Sequence, residues 1–400
     1  MSELFQSLPD GWDSKALGDI CNIDPEMLSG ATDPNYTFRY IDISSVGPSK
    51  ISNNLTLEVF RSAPSRARKR VQKDDVLMAT VRPNLKAFAK VGLDGELVAS
   101  TGFAVLRAIK DKSHPEFLKQ ILFSADIESQ VESLVAGSNY PAITVGNVRR
   151  LHAAVPPYAE QRGIAEVLSA LDEQIEQTDE LIEKFVARRA GLVQEFLVPE
   201  TRKAKCVTLA AASSLVTSGS RGWARFYQTK GALFLRIGNL TRENPNLDLD
   251  DLVRVVVPAG GEGARTRLEA GDVLISITAD LGVIGCIPEN FEEAYINQHI
   301  ALVRINDASI NPRWVAHVLG SPFGNDQIAR LNDGGAKAGL NLSTIRALQV
   351  PKPSIEIQDL VVNLLDAADV QISAEKAFSA KLRLQKQGLM RDLLTGKTRV

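Results

Sequence analysis

The sequence predicts a mixed α/β (α+β) protein built twice, as two globular domains of about 200 residues that each end in one long helix. Three observations predict this fold. The chain repeats itself at a distance of 197 residues, so that Asp75-Val76-Leu77 returns as Asp272-Val273-Leu274. Each copy contains short apolar runs, rich in β-branched residues, that are typical of buried strands. Each copy also closes with apolar residues spaced four and three apart, the heptad pattern of a coiled-coil helix.

The repeat is clearest where Gln-Arg-Gly-Ile-Ala-Glu-Val-Leu, residues 161–168, matches Gln-Asp-Leu-Val-Val-Asn-Leu-Leu, residues 358–365. Its period is far longer than the 20–50 residues of a solenoid unit, so it indicates a duplicated domain of ordinary size. The predicted boundaries are a first domain at 1–155, its long helix at 156–198, a second domain at 199–352 and its long helix at 353–400. Two copies predict one task performed at two places.

Composition is that of a soluble globular protein, with 44% hydrophobic and 24% charged residues. The net charge of −2 neither favours nor excludes a polyanionic partner, because the distribution of charge matters more than its sum. The start has no signal-peptide pattern and no apolar run approaches 18 residues, so a cytoplasmic location without a membrane is expected. Three cysteines and four histidines show no ligand spacing, which predicts neither disulfides nor a metal site.

The part of each copy before the long helix alternates strand and helix signals. Both helix signals begin with a proline, which the first helical turn tolerates. The predicted strands are Val76–Val81, Leu97–Leu106, Val273–Ile277 and Ile300–Ile305, and the predicted helices are Pro115–Leu134 and Pro312–Leu331. The Gly/Asn-rich stretches Ala136–Tyr140 and Gly334–Gly339 are predicted to form matching loops.

The long helices carry an apolar seam over almost five heptads. In the first copy the seam consists of Ile164, Leu168, Leu171, Ile175, Ile182, Phe185 and Leu192, and in the second of Val361, Leu365, Ala368, Ile372, Leu382, Leu389 and Leu393. Polar residues interrupt both seams at equivalent places, Thr178 and Glu375, then Arg189 and Lys386, and such residues can fix register. Prolines precede both helices, Pro199 is expected to close the first, and Gly396 falls near the end of the second.

A helix over 161–198 would be about 57 Å long at 1.5 Å per residue. The simplest arrangement packs the two helices on each other as an antiparallel coiled coil. The alternative is two surface helices, each packed on its own domain, although a surface helix usually has a broader apolar stripe than a strict seam.

Basic runs occur in both copies before the helices. No acid lies between Phe60 and Lys73, nor between Thr201 and Arg242, and hydroxyl residues, glycines and aromatics are interleaved in the second run. These groups contact phosphates and base edges, which favours nucleic acid over a merely solvated basic face. The candidate DNA-contacting residues are Arg66, Arg68, Lys69, Arg70, Arg82, Asn84 and Lys86 in the first copy and Ser218, Ser220, Arg221, Trp223, Arg225, Tyr227, Arg236 and Asn239 in the second. Trp223 and Tyr227 could instead serve core or loop packing.

Catalytic patterns are weak. Thr395-Gly-Lys-Thr398 resembles the end of a phosphate-binding loop, but Arg391 stands where the leading glycine is required. Pro156-Pro-Tyr158 resembles an amino-methyltransferase core, but Val155 stands where a polar residue would hold the target amine. The sequence therefore predicts a binding protein with no catalytic residues and no cofactor of its own.

Several segments resemble specificity subunits of type I restriction–modification systems. They are Val155-Pro-Pro-Tyr-Ala-Glu-Gln-Arg162 at the start of the first helix, Gly388-Leu-Met-Arg-Asp-Leu-Leu-Thr-Gly-Lys397 at the end of the second, Leu8-Pro-Asp-Gly-Trp12 with Leu17-Gly-Asp-Ile20, and Phe234-Leu-Arg-Ile-Gly-Asn-Leu240. The resemblance covers the full chain. The second copy departs from it, because it lacks the Pro-x-Gly-Trp opening and its helix start, Pro353-Ser-Ile-Glu-Ile-Gln358, is degenerate.

The resemblance implies two pseudo-twofold-related target recognition domains, each reading one half of a bipartite, gapped site in double-stranded DNA. It also implies partners, namely two modification subunits that methylate adenine with S-adenosylmethionine and two restriction subunits that use ATP and Mg. Two alternatives remain open at this point. The chain could be a self-contained methyltransferase or nuclease, or a coiled-coil adaptor that binds only protein. The copies diverge at 60–90 and 217–242, so two different half-sites are expected.

Overall fold

The computed structural model describes residues 8–135, 141–219, 221–257, 261–332 and 339–400, without the side chains of 261, 262, 264 and 332. The chain forms two compact units, which are treated in turn. Unit 1 comprises Met1–Asp179 and Ala377–Val400, and unit 2 comprises Glu180–Lys376. The predicted loop Ala136–Tyr140, most of the predicted loop Gly334–Gly339, and the candidate Ser220 lie outside the described residues.

Apart from the long helices, the described residues of unit 1 form short strands and four short α-helices. Its strands are β1 (Asp13–Ala16), β2 (Cys21–Ile23), β3 (Thr37–Ile41), β4 (Val46–Gly47), β5 (Lys50–Ile51), β6 (Thr56–Val59), β7 (Ala67–Val71), β8 (Val76–Ala79), β9 (Phe88–Lys90), β10 (Leu97–Ser100), β11 (Phe103–Ala108) and β12 (His152–Val155). Its short helices are α1 (Leu17–Ile20), α2 (Pro115–Ile121), α3 (Ala125–Val135) and α4 (Val145–Arg149).

Two four-stranded sheets form the frame of unit 1, in the orders β6-β3-β10-β7 and β2-β11-β8-β9. In the first sheet β10 runs parallel to β3, whereas in the second the pairs are antiparallel. Strand β8 is buried over its whole length, as its uninterrupted apolar run predicts. The predicted strand Leu97–Leu106 is two strands, because a turn at Thr101-Gly102 carries the chain from one sheet to the other.

The long helix of the first copy is α5 (Tyr158–Leu192), whose residues to Asp179 belong to unit 1 and whose later residues belong to unit 2. The prediction that Pro199 closes this helix is wrong. A π-helical turn at Val193–Leu197 follows α5, and helix α6 (Val198–Lys203) continues from it. Pro199 lies in the first turn of α6, where its missing N–H and fixed φ cost nothing. The π-helical turn before it accommodates the backbone hydrogen bond that the proline cannot make.

Unit 2 has its own strands and short helices. Its strands are β13 (Cys206–Thr208), β14 (Ser213–Ser218), β15 (Tyr227–Gln228), β16 (Ala232–Leu235), β17 (Val253–Val255), β18 (Val273–Ser276), β19 (Ile284–Cys286), β20 (Ala294–Ile296), β21 (Ile300–Ile305) and β22 (Gln349–Pro351). Its short helices are α7 (Leu209–Ala212), α8 (Gly261–Thr266), α9 (Pro312–Gly320), α10 (Pro322–Asn332) and α11 (Leu342–Ala347).

The sheets of unit 2 follow the same plan, with the order β14-β21-β18-β19 matching β2-β11-β8-β9. The second sheet, β15-β17-β16-β20, again contains one parallel pair, β16 with β20. Strand β20 of unit 2 corresponds to β10 of unit 1 through the repeat. Strand β10 lies between β3 and β7, whereas β20 forms the edge of its sheet. The predicted strand Ile300–Ile305 is confirmed as β21.

Each predicted amphipathic helix before the long helices is two helices instead of one. In unit 1 the break falls at Ser124, whose hydroxyl accepts a hydrogen bond from the Ile127 backbone and starts α3. In unit 2 the break falls at Ser321, because the residue before Pro322 avoids helical conformation. Both first helices begin at the predicted proline, Pro115 or Pro312.

The long helix of the second copy is α12 (Ile355–Leu393). In unit 1 α12 packs antiparallel on α5, since residues further along α5 contact residues that come earlier in α12. Lys386 Nζ lies 2.5 Å from Asp172, and Ser379 Oγ lies 2.8 Å from Asp179. The seam residues Leu171, Ile175 and Leu382 are buried together there.

In unit 2 the remaining parts of the two long helices also pack antiparallel. Arg189 donates to both carboxylate oxygens of Asp369. Further along, Leu197 shares a core with Val361 and Leu365. Within each unit, therefore, the predicted seam forms a buried or half-buried face.

Buried polar contacts recur in both units at the 197-residue offset. Arg107 binds Asp75 with two hydrogen bonds of 2.8 and 2.9 Å, and Arg304 binds Asp272 with bonds of 2.8 and 2.7 Å. Both aspartates are almost wholly buried. Because a buried carboxylate is stable only when its charge and lone pairs are satisfied, these two pairs fix β11 to the turn before β8 and β21 to the turn before β18.

Gln161 and Gln358 form a second repeated contact, at the start of each long helix. Gln161 bridges the His114 backbone N–H, the Lys112 carbonyl and the Pro156 carbonyl. Gln358 makes the same three contacts, with Asn311, Ser309 and Pro353. These buried amides tie each helix to the domain that precedes it.

Candidate nucleic-acid interface

Several loops of unit 1 meet at the end of strands β8 and β10, where β11 begins. We call this set loop edge 1 and define it as residues 61–67, 80–87, 100–102 and 141–146. Backbone hydrogen bonds hold it together. Thr101 N donates to Arg66 O at 2.8 Å, Thr80 N donates to Gly102 O at 2.8 Å, and Arg82 N donates to Pro141 O at 2.7 Å. The structure thus brings Arg66 and Arg82, predicted from separate parts of the sequence, to one edge.

The turn between β8 and β9 has a strained backbone. Arg82 and Lys86 have φ values of 49° and 52°, and they flank a single 3-10 turn, Pro83–Leu85. Non-glycine residues in this left-handed region cost energy and persist where neighbouring structure enforces them, often at functional sites. Asn84 is exposed and Leu85 is 60% exposed, so the turn projects its tip into solvent. A cavity of about 340 Å³ lies beside it, lined in part by Ser44, Arg82 and Leu85.

Strand β7 separates the basic run of the first copy into two faces. Side chains alternate along a strand, so Lys69 points inward with Ala67 and Val71. Lys69 is 3% exposed, and its ammonium lies 2.6 Å from Asp24 and donates to the Phe103 carbonyl. Its charge is therefore neutralised inside the domain, which corrects the prediction that it contacts DNA.

Arg68 and Arg70 lie on the outer face of β7. The guanidinium of Arg68 lies 5.1 Å from the centre of the Phe60 ring and donates to the Ala67 carbonyl at 2.8 Å. Arg70 lies 3.1 Å from Glu96. The Tyr36 hydroxyl and Arg70 hold the pKa of Glu96 below its ordinary value, so this carboxylate stays charged and occupies the arginine. Lys86 is also paired, at 2.7 Å from Glu128.

Unit 2 assembles a similar set of loops, which we call loop edge 2 and define as residues 218, 219, 221, 277–283, 297–299 and 339–343. Ile277 N donates to His299 O at 2.9 Å and Leu340 N to Ile277 O at 3.0 Å. In unit 1 the bonds at the corresponding positions are Thr80 N to Gly102 O and Ile143 N to Thr80 O. These three loops of the two edges therefore share one backbone arrangement, whereas residues 61–67 of loop edge 1 and Ser218, Gly219 and Arg221 of loop edge 2 do not correspond through the repeat.

The basic segment of the second copy begins at loop edge 2. Ser218 is the last residue of β14 and pairs with Ala301, and Gly219 N donates to Ile300 O at 3.2 Å. A Cβ atom on Gly219 would overlap the Asn297 carbonyl oxygen, so only glycine allows this approach. Arg221 follows and is exposed.

Trp223 does not lie on a surface, so its prediction as a DNA contact is corrected in favour of the packing alternative. It is 2% exposed, its ring stacks on Phe234 at 5.1 Å, and Tyr295 lies 5.4 Å away. Tyr227 is 41% exposed, with its ring 5.8 Å from Phe234. Arg225 is exposed, and its guanidinium lies 4.8 Å from the Phe226 ring.

Asn239 and Arg236 stabilise a loop. Asn239 is 2% exposed, accepts a hydrogen bond from the Arg236 backbone, and donates to the Asp248 and Asp251 carbonyls at 2.9 and 3.1 Å. Arg236 forms an ion pair of 2.7 Å with Asp251. Asn239 therefore has no polar group left at the surface, which corrects its prediction as an adenine reader. A turn of this kind also forms in unit 1, where Asp42 caps Ile43–Ser45.

Loop edge 2 contains three polar residues that sequence reasoning missed. They are Thr278, Gln298 and His299, all half-buried and joined by hydrogen bonds. No basic run or motif marks them in the sequence.

Among the described residues, one group has the ligand atoms of a metal site: His317, Asp366 and Asp369, within 4.8 Å of one another. Arg313 lies 2.5 Å from Asp366, and Arg189 binds Asp369 through two hydrogen bonds. Because each carboxylate already has a guanidinium partner, a divalent cation would add uncompensated charge. The group is an ion-pair network under α12. No helix in the described part of the chain is both long and apolar enough to cross a membrane.

The geometry defines a class of protein in which one frame, built twice, presents two different polar and basic loop edges. The family model for the type I restriction modification DNA specificity domain matches residues 9–184. The chain is 21% identical to the type I restriction enzyme MjaX specificity subunit of Methanocaldococcus jannaschii, over 98% of this chain and 95% of that one. It is 26% identical to the HindI specificity subunit of Haemophilus influenzae, over 41% and 36% respectively.

Solved structures agree with these relatives. A chain of a type I restriction–modification system, solved to explain complex assembly and conformational transition, matches with a TM-score of 0.57 and 25% identity, over 98% of this chain and all of that one. The type I S subunit of M. genitalium matches with a TM-score of 0.64 and 13% identity over 98% of both, which supports the fold alone. The chain is therefore similar, along its whole length, to specificity subunits of type I restriction–modification systems.

Proposed function

We propose that this chain selects the DNA site of a type I restriction–modification complex, with loop edge 1 reading one half-site and loop edge 2 reading the other. The observation that carries the proposal is that equivalent backbone edges hold different side chains. A reader of two unlike half-sites needs a constant frame, because the frame sets the position of the bases, and variable tips, because the tips set their identity.

In unit 1 we assign Arg66, Arg68, Arg82, Asn84 and Lys86 to the interface, with Arg70 at its border. Exposed guanidinium groups can pair with guanine or hold phosphate, and an asparagine amide can pair with adenine. In unit 2 we assign Ser218, Arg221, Arg225 and Tyr227. Arg236, half-buried and paired with Asp251, would contribute positive charge near the edge without direct base contact.

The catalytic work would belong to partner subunits. We propose that two modification subunits carry S-adenosylmethionine and methylate adenine, and that two restriction subunits use ATP and Mg. Adenine methylation requires the base to be flipped from the duplex into a pocket, and that pocket would be in the modification subunit. This chain would bind double-stranded DNA and orient those partners.

The test is to map methylated adenines across the host genome with and without this gene. Loss of methylation at one gapped motif supports the proposal, whereas an unchanged methylation pattern contradicts it. Tight binding of S-adenosylmethionine by the isolated chain would instead point to a self-contained methyltransferase.

Matched variants assign the two edges. Arg66→Ala should weaken binding through one half-site and Arg221→Ala through the other, each lowering the salt dependence of binding by about one phosphate contact. The controls are Lys110→Ala and Lys205→Ala, exposed cations that lie outside both loop edges. If the controls reduce affinity as much as the edge variants, binding is non-specific and the edge assignment is wrong.

A further inference from the structure

A chain of hydrogen bonds in loop edge 2 fixes the side chain of one glutamine. The turn at residues 297–299 joins β20 to β21. The Gln298 amide nitrogen lies 2.7 Å from His299 Nε2, and His299 Nδ1 lies 2.7 Å from the Thr278 hydroxyl oxygen. The Asn297 side chain accepts a hydrogen bond of 3.0 Å from the His299 backbone N–H, which holds the turn.

This arrangement fixes the chemistry that Gln298 presents. When the amide N–H donates to His299 Nε2, the ring proton is on Nδ1 and is donated to Thr278, so both ring nitrogens are occupied. The glutamine amide retains its carbonyl oxygen and a second N–H. Within the described residues, neither of these groups has a protein partner.

A carbonyl acceptor beside an N–H donor in one plane matches the major-groove edge of adenine, which offers the N6 amino group and the N7 acceptor. Glutamine can make this bidentate contact from many side-chain conformations, so most of its cost is the loss of side-chain freedom. Here the bond to His299 restricts that freedom before any base arrives. The amide is therefore prepared to read adenine.

The location of the amide agrees with this role. The Gly219 N–H donates to the Ile300 carbonyl beside the turn, and the exposed Arg221 follows two positions later in the sequence. An arginine beside the turn can hold phosphate while the amide contacts a base edge. Gln298 is half-buried, which leaves part of its surface open to a ligand.

We propose that Gln298 reads an adenine in the half-site contacted by unit 2, with His299 and Thr278 as positioning residues. The inference rests on the proposed function and names one base contact within it. Thr101 and Gly102 occupy the equivalent positions in unit 1, where a Cβ on Gly102 would lie 2.5 Å from Ile43 Cδ1. With threonine and glycine in place of Gln298 and His299, unit 1 lacks both the amide and the ring, so the adenine contact is particular to unit 2.

The experiment selects preferred sequences from a randomised DNA library with the full chain and reads the preference at each base position. Gln298→Ala should reduce the preference for adenine at one position of one half-site by roughly 5- to 150-fold, the range of a bidentate base contact. Thr101→Ala, the matched change in unit 1, should leave that position unchanged. Gln298→Glu keeps the size of the side chain but replaces the N–H by an acceptor, and it should move the preference at that position towards cytosine.

The positioning role has its own test. His299→Ala should weaken the adenine preference at the same position by less than Gln298→Ala. The double variant should be no worse than Gln298→Ala alone, because the ring acts only through the amide. A role confined to stability would lower affinity for every sequence equally. Thermal unfolding of each variant identifies any that fail to fold, in which case the Gln298→Glu preference decides.

The outcomes separate the inference from the function beneath it. If the wild-type chain selects a gapped motif and neither Gln298 variant changes any position, the inference is wrong and the proposed function stands. The inference is equally wrong if the variants weaken all sequences uniformly. If the wild-type chain selects no sequence at all, the proposed function itself is wrong.

Discussion

The two units share their buried contacts and differ at their exposed tips. Each unit has an arginine that binds a buried aspartate twice, Arg107 with Asp75 and Arg304 with Asp272. At the loop edges the same backbone positions hold Thr101 in one unit and Gln298 in the other. A buried charge and its partner cannot change singly without leaving a charge uncompensated, whereas an exposed tip can change freely. The comparison shows which positions of a duplicated frame can differ between the two copies without loss of stability.

The comparison is less even where the two long helices pack. Unit 1 pairs Asp172 with Lys386, and unit 2 pairs Asp369 with Arg189, positions that correspond through the repeat. The Asp369 side chain is 1% exposed, and that of Asp172 is 20% exposed. Asp172 also accepts a hydrogen bond of 2.8 Å from Gln120. The same contact is therefore more deeply buried in unit 2.

The largest expected effect comes from the shared arginines. Arg107→Ala and Arg304→Ala should each cost about 3–5 kcal/mol of stability in their own unit, because each leaves a buried carboxylate without its cation. Hydrogen exchange followed by mass spectrometry reports the loss unit by unit. The conservative Lys variants, which keep the charge but lose the second hydrogen bond, should lose less. Clearly unequal losses at the two sites would show that the frames are not equivalent.

The helix pair should respond unequally. Arg189→Ala should cost about 3 kcal/mol, because Asp369 is deeply buried and loses its guanidinium partner. Lys386→Ala should cost about 1 kcal/mol, because Asp172 is partly exposed and keeps its bond to Gln120. Denaturant unfolding of the full chain measures both. Equal losses would contradict the difference in burial between the two sites.

A third comparison concerns His317, which corresponds to Gln120 in unit 1. Burial holds the pKa of His317 below its ordinary value, and Asp366, 2.8 Å away, only partly opposes this effect. Arg313 and Asp369 are the other charged groups that face it. The unfolded chain therefore takes up the proton first, near pH 6.5. Stability is complete above that pH and falls as the pH drops, until the folded state is protonated as well.

The matched variant is His317→Gln, which gives unit 2 the residue of unit 1. Between pH 7.5 and 5.5 the wild-type chain should lose about 1 kcal/mol more stability than the variant. Denaturant midpoints at both pH values measure this difference. Identical pH profiles would show that protonation of His317 is not linked to folding.

Periodicity and the repeat predict part of the frame. The heptad seam predicted both long helices, and proline positions predicted where α2 and α9 begin. The errors concern where helices begin and end, which the spacing of apolar residues does not determine. Pro199 lies in the first turn of a new helix, and Ser124 and Ser321 each divide a predicted helix in two. A proline or serine can begin a helix as well as end one, and the choice depends on tertiary contacts.

The candidate interface was harder to predict, because residue type does not reveal which face of a strand a side chain occupies. The part of the basic run that contains Lys69 forms a β-strand. Side chains alternate between the two faces of a strand, so every second residue points inward. The Asn239 amide could in principle contact a base, but it is hydrogen-bonded to backbone groups of its own loop instead. Gln298 and His299 gave no signal, since their arrangement depends on Thr278, about 20 residues earlier.

The smallest expected effect tests the strained turns that both edges share. Ala279, with a φ of 58°, corresponds to Arg82, with a φ of 49°. Glycine adopts this conformation without the steric cost that a Cβ atom brings, so Ala279→Gly should gain about 0.5–1 kcal/mol after the entropy of the unfolded glycine is subtracted. It should leave DNA affinity unchanged, because a methyl group is all that is removed.

Arg82→Gly relieves the same backbone strain in unit 1 but also removes a guanidinium from loop edge 1. Thermal unfolding and salt-dependent DNA binding of both variants therefore distinguish the effect of backbone strain on stability from the effect of the guanidinium on DNA binding. If Ala279→Gly weakened DNA binding as much as Arg82→Gly, the strain itself would be shaping the interface. The two edges would then differ in their side chains but depend equally on a backbone held in the left-handed region.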